Sequence, residues 1–160
     1  MATLPQLIEE DIRELNRVIQ ELLLKSEAGA AMLIDKGGFL ITQCGECQQL
    51  DTTTLAALSA ASFAATEHIA TLVGETNFSS IYQQGEGYSL LVEDVDEYSL
   101  LTVLFKAQIS VGAVKYFATT TIKSIASQLK KAHRRNPDGG LDLSELNLAD
   151  TTSLFTMKKS

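Results

Sequence analysis

The stretch Tyr98-Ser99-Leu100-Leu101-Thr102-Val103-Leu104-Phe105 is apolar on both of its alternating faces. An extended strand sends successive side chains to opposite sides, so a sheet covered on one side only alternates apolar with polar. A strand apolar on both sides belongs in the middle of a sheet with cover in front and behind. The chain must therefore supply helices for one face and further cover for the other.

Residues 4–25 offer the first helix, with Leu4, Leu7, Ile8, Ile12, Leu15, Val18, Ile19, Leu22 and Leu23 at helical spacing. Glu9, Glu10, Asp11, Arg13 and Glu14 supply its wet face. Residues 29–35 and 38–43 read as two strands about the turn Asp35-Lys36-Gly37-Gly38, where glycine permits the positive φ of a tight hairpin. A second helix spans residues 53–73, capped by Asp51 or Thr52 and closed by Gly74. Its alanines alternate with Leu55, Leu58, Phe63, Ile69 and Leu72, so small residues fall on more than one side. Such a helix is either an alanine-rich helix of an ordinary core, or one whose one side packs on the chain's own sheet and whose other side meets a second protein.

Residues 87–93, 98–105 and 111–117 read as three further strands, and Glu93 to Glu97 as a turn too charged for burial. Residues 118–132 form a third helix with Ile122, Ile125, Ala126, Leu129 and Ala132 on one face. Lys130, Lys131, Arg134 and Arg135 complement its C-terminal dipole. The break at Asn136-Pro137-Asp138-Gly139-Gly140 divides a domain at 1–135 from a tail at 136–160. Leu141, Leu143, Leu146, Leu148 and Phe155 suggest a short docked helix over 144–149. The order is α-β-β-α-β-β-β-α, an α/β sandwich of the α+β kind.

With a net charge of -7 and no basic block among its 13 Lys and Arg, the chain is a poor ligand for nucleic acid. The same charge opposes docking on an anionic membrane. No apolar run is expected to reach the roughly 18 residues of a spanning helix. The acidic N-terminal segment lacks the pattern of a signal peptide, so cytoplasmic residence is the expectation. Phosphate loops, dinucleotide fingerprints, HExxH and GxSxG motifs are all missing, which predicts no catalytic residues and no cofactor.

Cys44-Gly45-Glu46-Cys47 has the spacing of half a zinc site or a redox pair. Zinc needs four ligands, and only His68 and His133, on different helices, could add to it. The pair reads as reduced cysteines at a strand end. His68 reads as a surface or partner-facing residue and His133 as a solvated one. Asp94 and Asp96 read as wet turn residues.

Several phrases resemble the Roadblock/LC7 family, and within it the MglB-type partners of the Ras-like polarity GTPase MglA. They are Met32-Leu33-Ile34-Asp35-Lys36-Gly37-Gly38, Leu50-Asp51-Thr52-Thr53, and Leu55-Ala56-Ala57-Leu58-Ser59-Ala60 closing in Leu72-Val73-Gly74-Glu75. Phe78, Gln84-Gly85-Glu86, Leu104-Phe105 and Ser110-Val111-Gly112-Ala113-Val114-Lys115 follow in order. The resemblance implies a five-stranded antiparallel sheet with the central helix on one face and the terminal helices on the other. It also implies a homodimer whose second strands pair edge to edge and whose central helices lie side by side. Leu40, Thr42, Leu58 and Ala65 are its dimer candidates.

In that family the paired helices activate a GTPase involved in cell polarity and motility without inserting an arginine. The matching partner-binding positions are Ala57, Ala60, Ala61, Ala64, Glu67 and His68. At Glu67 and His68 the sequence departs from the small residues of GTPase-binding relatives. A Roadblock-type scaffold that stimulates nothing is the alternative reading.

Overall fold

The computed structural model describes residues 3–135. The chain runs α1 (Glu9–Ser26), β1 (Ala30–Asp35), β2 (Leu40–Gly45), α2 (Thr52–Val73), β3 (Ser80–Gln84), β4 (Tyr88–Asp94), β5 (Ser99–Lys106) and α3 (Val111–Arg135). The strands form one five-stranded sheet in the order β2-β1-β5-β4-β3, and every pairing is antiparallel. β5 is therefore central, as its doubly apolar sequence requires. Leu101, Val103 and Phe105 face a core built with α1 and α3. Leu100 joins Met32, Ile34, Ala56, Ala60, Phe63 and Val92 in a second core beneath α2.

The element order matches the expected α-β-β-α-β-β-β-α, but two elements within it differ. Residues 111–117 are the first turns of α3 and not a strand. Val111, Tyr116 and Phe117 favour strands by type. However, Val114, Ala118, Thr121, Ile125 and Leu129 recur at helical spacing and are all buried. The Val114 N–H donates to the Ser110 carbonyl at 3.2 Å, which starts the helical ladder. The missing strand is β3, an edge strand whose Gln83 and Gln84 are exposed. Pairing with β4 defines it more than any apolar alternation of its own.

α1 begins at Glu9, after the expected start at residue 4, because the Asp11 carboxylate accepts the Ile8 N–H at 2.9 Å and closes the helix there. Asp11 is consequently not on the wet face: it is 0% exposed. It also accepts hydrogen bonds from Gln128 at 2.8 Å and from both terminal nitrogens of Arg135 at 2.8 and 2.9 Å. This bidentate pair fastens the start of α1 to the end of α3. The Arg135 hydrogen bonds hold the Asp11 carboxyl down at about 2 against the cost of burial.

Two further residues and one helix differ from expectation. Glu93 lies in β4 and is buried, whereas the turn that follows holds Asp96, whose carboxylate accepts the N–H groups of Tyr98 and Ser99. His133 stacks on Tyr98 with ring centroids 6.0 Å apart, and its Nδ1 is buried. α2, contrary to expectation, is long and apolar enough to pass for a membrane span by length and composition. Yet it seats Ala56, Ser59, Ala60, Phe63 and Ala70 on the sheet side of the molecule. The short helix expected over 144–149 lies outside the described residues.

Candidate functional site: the outer face of α2 and the β2 edge

α2 starts where Asp51 accepts hydrogen bonds from the Thr54 N–H at 3.1 Å and the Thr54 hydroxyl at 2.6 Å. These bonds hold the Asp51 carboxyl below its ordinary range. Gly74 ends the helix at φ 76°, a left-handed conformation that suits glycine. Between these caps Glu67 and His68 are the ionisable residues of the helix.

Phe63 anchors the helix: it is 3% exposed, and the Lys36 ammonium lies 5.7 Å from its ring centroid. Lys36 also pairs with Asp94 at 2.8 Å, tying the first hairpin to β4. Gly38 sets the other contact. At φ +100° it turns the β1–β2 hairpin, and a Cβ there would lie 3.2 Å from the Ala57 Cα. The hairpin backbone can approach α2 this closely because both positions are small.

Ala57, Ala61, Ala64 and His68 follow one another at helical spacing and are exposed. Leu58, Ala65, Ile69 and Leu72 make a neighbouring exposed stripe, with Leu72 at 85% and Leu58 at 60% exposure. Glu67 is exposed as well. Ala60 is the exception among the expected partner-facing residues. It is 6% exposed and belongs to the core beneath the helix. A helix with alanine on every side does not announce which alanine faces inward; the position of Phe63 decides it.

β2 lies at the sheet edge beside β1. Its register shifts between Leu33, which pairs with Thr42, and Ile34, which pairs with Leu40. Ile41 is the extra residue of this bulge, and it separates the two expected dimer residues. Leu40 packs on the α2 side, whereas the Thr42 hydroxyl donates to Asn16 of α1. The bulge puts the two on opposite faces of the strand.

The remaining candidates lie elsewhere. Cys44 and Cys47 are buried at the end of β2. The Cys44 thiol lies 3.6 Å from Asn16 Oδ1, and the Cys47 thiol donates to the Cys44 carbonyl at 3.4 Å. Burial pushes both thiols upward, away from the reactive thiolate. Among the described residues no three His, Cys, Asp or Glu side chains gather as a metal would require. Arg13 pairs with Glu9, Arg17 with Glu14 and Glu21, and Arg135 with Asp11. These arginines and Arg134 all belong to α1 or α3, the layer across the sheet from α2.

A sheet with α2 on one side and α1 and α3 on the other is the Roadblock/LC7 arrangement. The Roadblock/LC7 domain model matches residues 14–105, and the chain belongs to that family. Among solved structures it is similar to Myxococcus xanthus MglB, with 30% identity and a TM-score of 0.74 over 79% of this chain and 96% of that one. A protein described as MglB with tetrameric arrangement is 28% identical with a TM-score of 0.76, over 82% of this chain and 99% of that one. The gliding protein MglB of Thermus thermophilus is also 28% identical, with a TM-score of 0.74 and the same coverage, 82% and 99%. No curated protein sequence matches the chain.

Proposed function

We propose that the chain is a cytoplasmic homodimeric regulator of a small Ras-like GTPase of the MglA type, acting as its GTPase-activating partner with no active site of its own. The observation that carries this reading is the outer face of α2, apolar along most of its length and uncovered among the described residues. Such a contiguous surface is characteristic of a protein interface. The β2 edge lies in the same half of the molecule, so joining two edges would set two α2 helices side by side. Ala57, Ala61, Ala64, Glu67 and His68 would then meet the GTPase, and Leu58, Ala65 and Leu40 the second copy.

Activation would follow from population shift: the paired helices bind the hydrolysis-competent arrangement of the GTPase better than the other. The placement of the arginines across the sheet from α2 supports a mechanism without an arginine finger. The test is single-turnover GTP hydrolysis by the organism's own MglA-type GTPase, with and without the chain. Stimulation is expected to persist when Arg13, Arg17 or Arg134 is replaced by Ala. It should vanish in Ala64→Arg, which remains a folded dimer. A finger contributes ~10³–10⁵ in rate, so a loss of that order in any arginine variant would sink the proposed mechanism.

A GTPase-independent Roadblock-type scaffold in a larger signalling or motility assembly, which stimulates nothing, is the second reading, favoured by the charge and bulk of Glu67 and His68 on the exposed helix. An unchanged hydrolysis rate together with no binding to the MglA-type GTPase would select it.

A further inference from the structure

The start of α3 meets the sheet through one unusual polar contact. Glu93 of β4 lies two residues beyond Leu91 and so shares the face that α1 and α3 cover. It is 8% exposed, and its Oε1 is buried without a hydrogen bond. Lys115 of α3 brings its ammonium 4.0 Å from that oxygen while hydrogen-bonding the Ser80 hydroxyl at 3.0 Å. Ser80 is the cross-strand partner of Glu93. A buried carboxylate with one distant cation is poorly compensated.

The surroundings leave Lys115 as the main partner of this group. From β3 the titratable residue on this face is Tyr82, which stacks on Phe105. β5 places Leu101 beside Glu93. Asp94 follows Glu93 along β4, turns to the other face and pairs with Lys36.

We propose that Glu93, Lys115 and Ser80 form a proton-controlled latch that sets how tightly the first turns of α3 sit on β3 and β4. The closed seat buries the carboxyl; an opened seat returns it to water. Burial raises the affinity of Glu93 for a proton, an effect that Lys115 partly offsets and Asp94 reinforces. The closed seat therefore takes the proton more readily than the open one, and by linkage the proton favours closure. The latch tightens as pH falls through the raised titration range and loosens as pH rises. Ser80 follows the link that leads from Gly74 at the end of α2, and the Ser79 carbonyl accepts the Asp94 N–H at 2.9 Å. This inference does not depend on the proposed function.

Hydrogen exchange of the full-length chain, corrected for the intrinsic pH dependence of amide rates, tests it. Amides of residues 80–82 and 113–118 are expected to be at least about threefold more protected near pH 5 than near pH 7.5. Glu93→Gln should keep the higher protection at both pH values. Lys115→Met should lower protection near pH 7.5 and move the transition to higher pH. Amides of residues 15–22 report global opening and serve as the control. Wild type and Glu93→Gln with the same flat profile would overturn the latch, as would a Lys115→Met transition that does not move.

Discussion

The two faces of the sheet are covered to different depths. On one side α1 and α3 hide Leu15, Ile19, Leu22, Ile125 and Leu129 almost completely and clamp together through Asp11 and Arg135. On the other side, among the described residues, α2 works alone, touching the sheet mainly through alanines, Ser59 and the ring of Phe63. Small contact residues bring the α2 backbone near the sheet but bury little area per residue. The deep layer secures the domain. Among the described residues, the shallow one leaves most of a long helix exposed.

Changes in each layer should sharpen this contrast, and the largest effect belongs to the single anchor of the shallow side. Phe63→Ala should cost about 3–5 kcal/mol in denaturant unfolding; a loss below about 1 kcal/mol would mean that α2 is seated by something else. In the deep layer, the fall of the Asp11 carboxyl from 3.8 to about 2 corresponds to about 2 kcal/mol, which is the expected loss in Asp11→Ala. Because the folded value is depressed, this stability is complete above the unfolded value and drains away as pH falls from about 4 to about 2. Acid titration by circular dichroism should show a shallower decline over that range in Asp11→Ala. An identical decline in both proteins would remove Asp11 from the account.

The next effect is smaller. Asp51→Ala removes the cap of α2 and should lower stability by about 1 kcal/mol, read as a shifted denaturant midpoint. Leu72→Ser should change the stability of the single chain by less than about 0.5 kcal/mol while weakening self-association in sedimentation velocity. Unchanged association would take the Leu58–Leu72 stripe out of the proposed dimer.

Local chemistry made parts of this molecule readable. Asp51 and Gly74 mark the ends of α2, the paired glycines mark the first hairpin, and the doubly apolar β5 marks the centre of the sheet. Features that depend on distant partners were hidden. β3 carries little periodicity and exists by pairing with β4; the first turns of α3 use strand-favouring residues, and only their spacing reveals a helix. Asp11 looks like one acid among several until Gln128 and Arg135, more than a hundred residues away, close around it. At the candidate site, the exposed alanines were legible as a small-residue surface. The inward turn of Ala60 and the bulge that parts Leu40 from Thr42 were not, because both arise from how α2 and β2 settle on their neighbours.

The Asp11–Arg135 pair also sets where the two ends of the described domain lie. It brings the beginning of the first helix and the end of the last to one corner, in the layer remote from α2. Probes joined near Ile8 and Arg135 would sit side by side, on the side of the sheet opposite α2. The described domain therefore has two sides, with the start of α1 and the end of α3 on one and the proposed partner surface on the other.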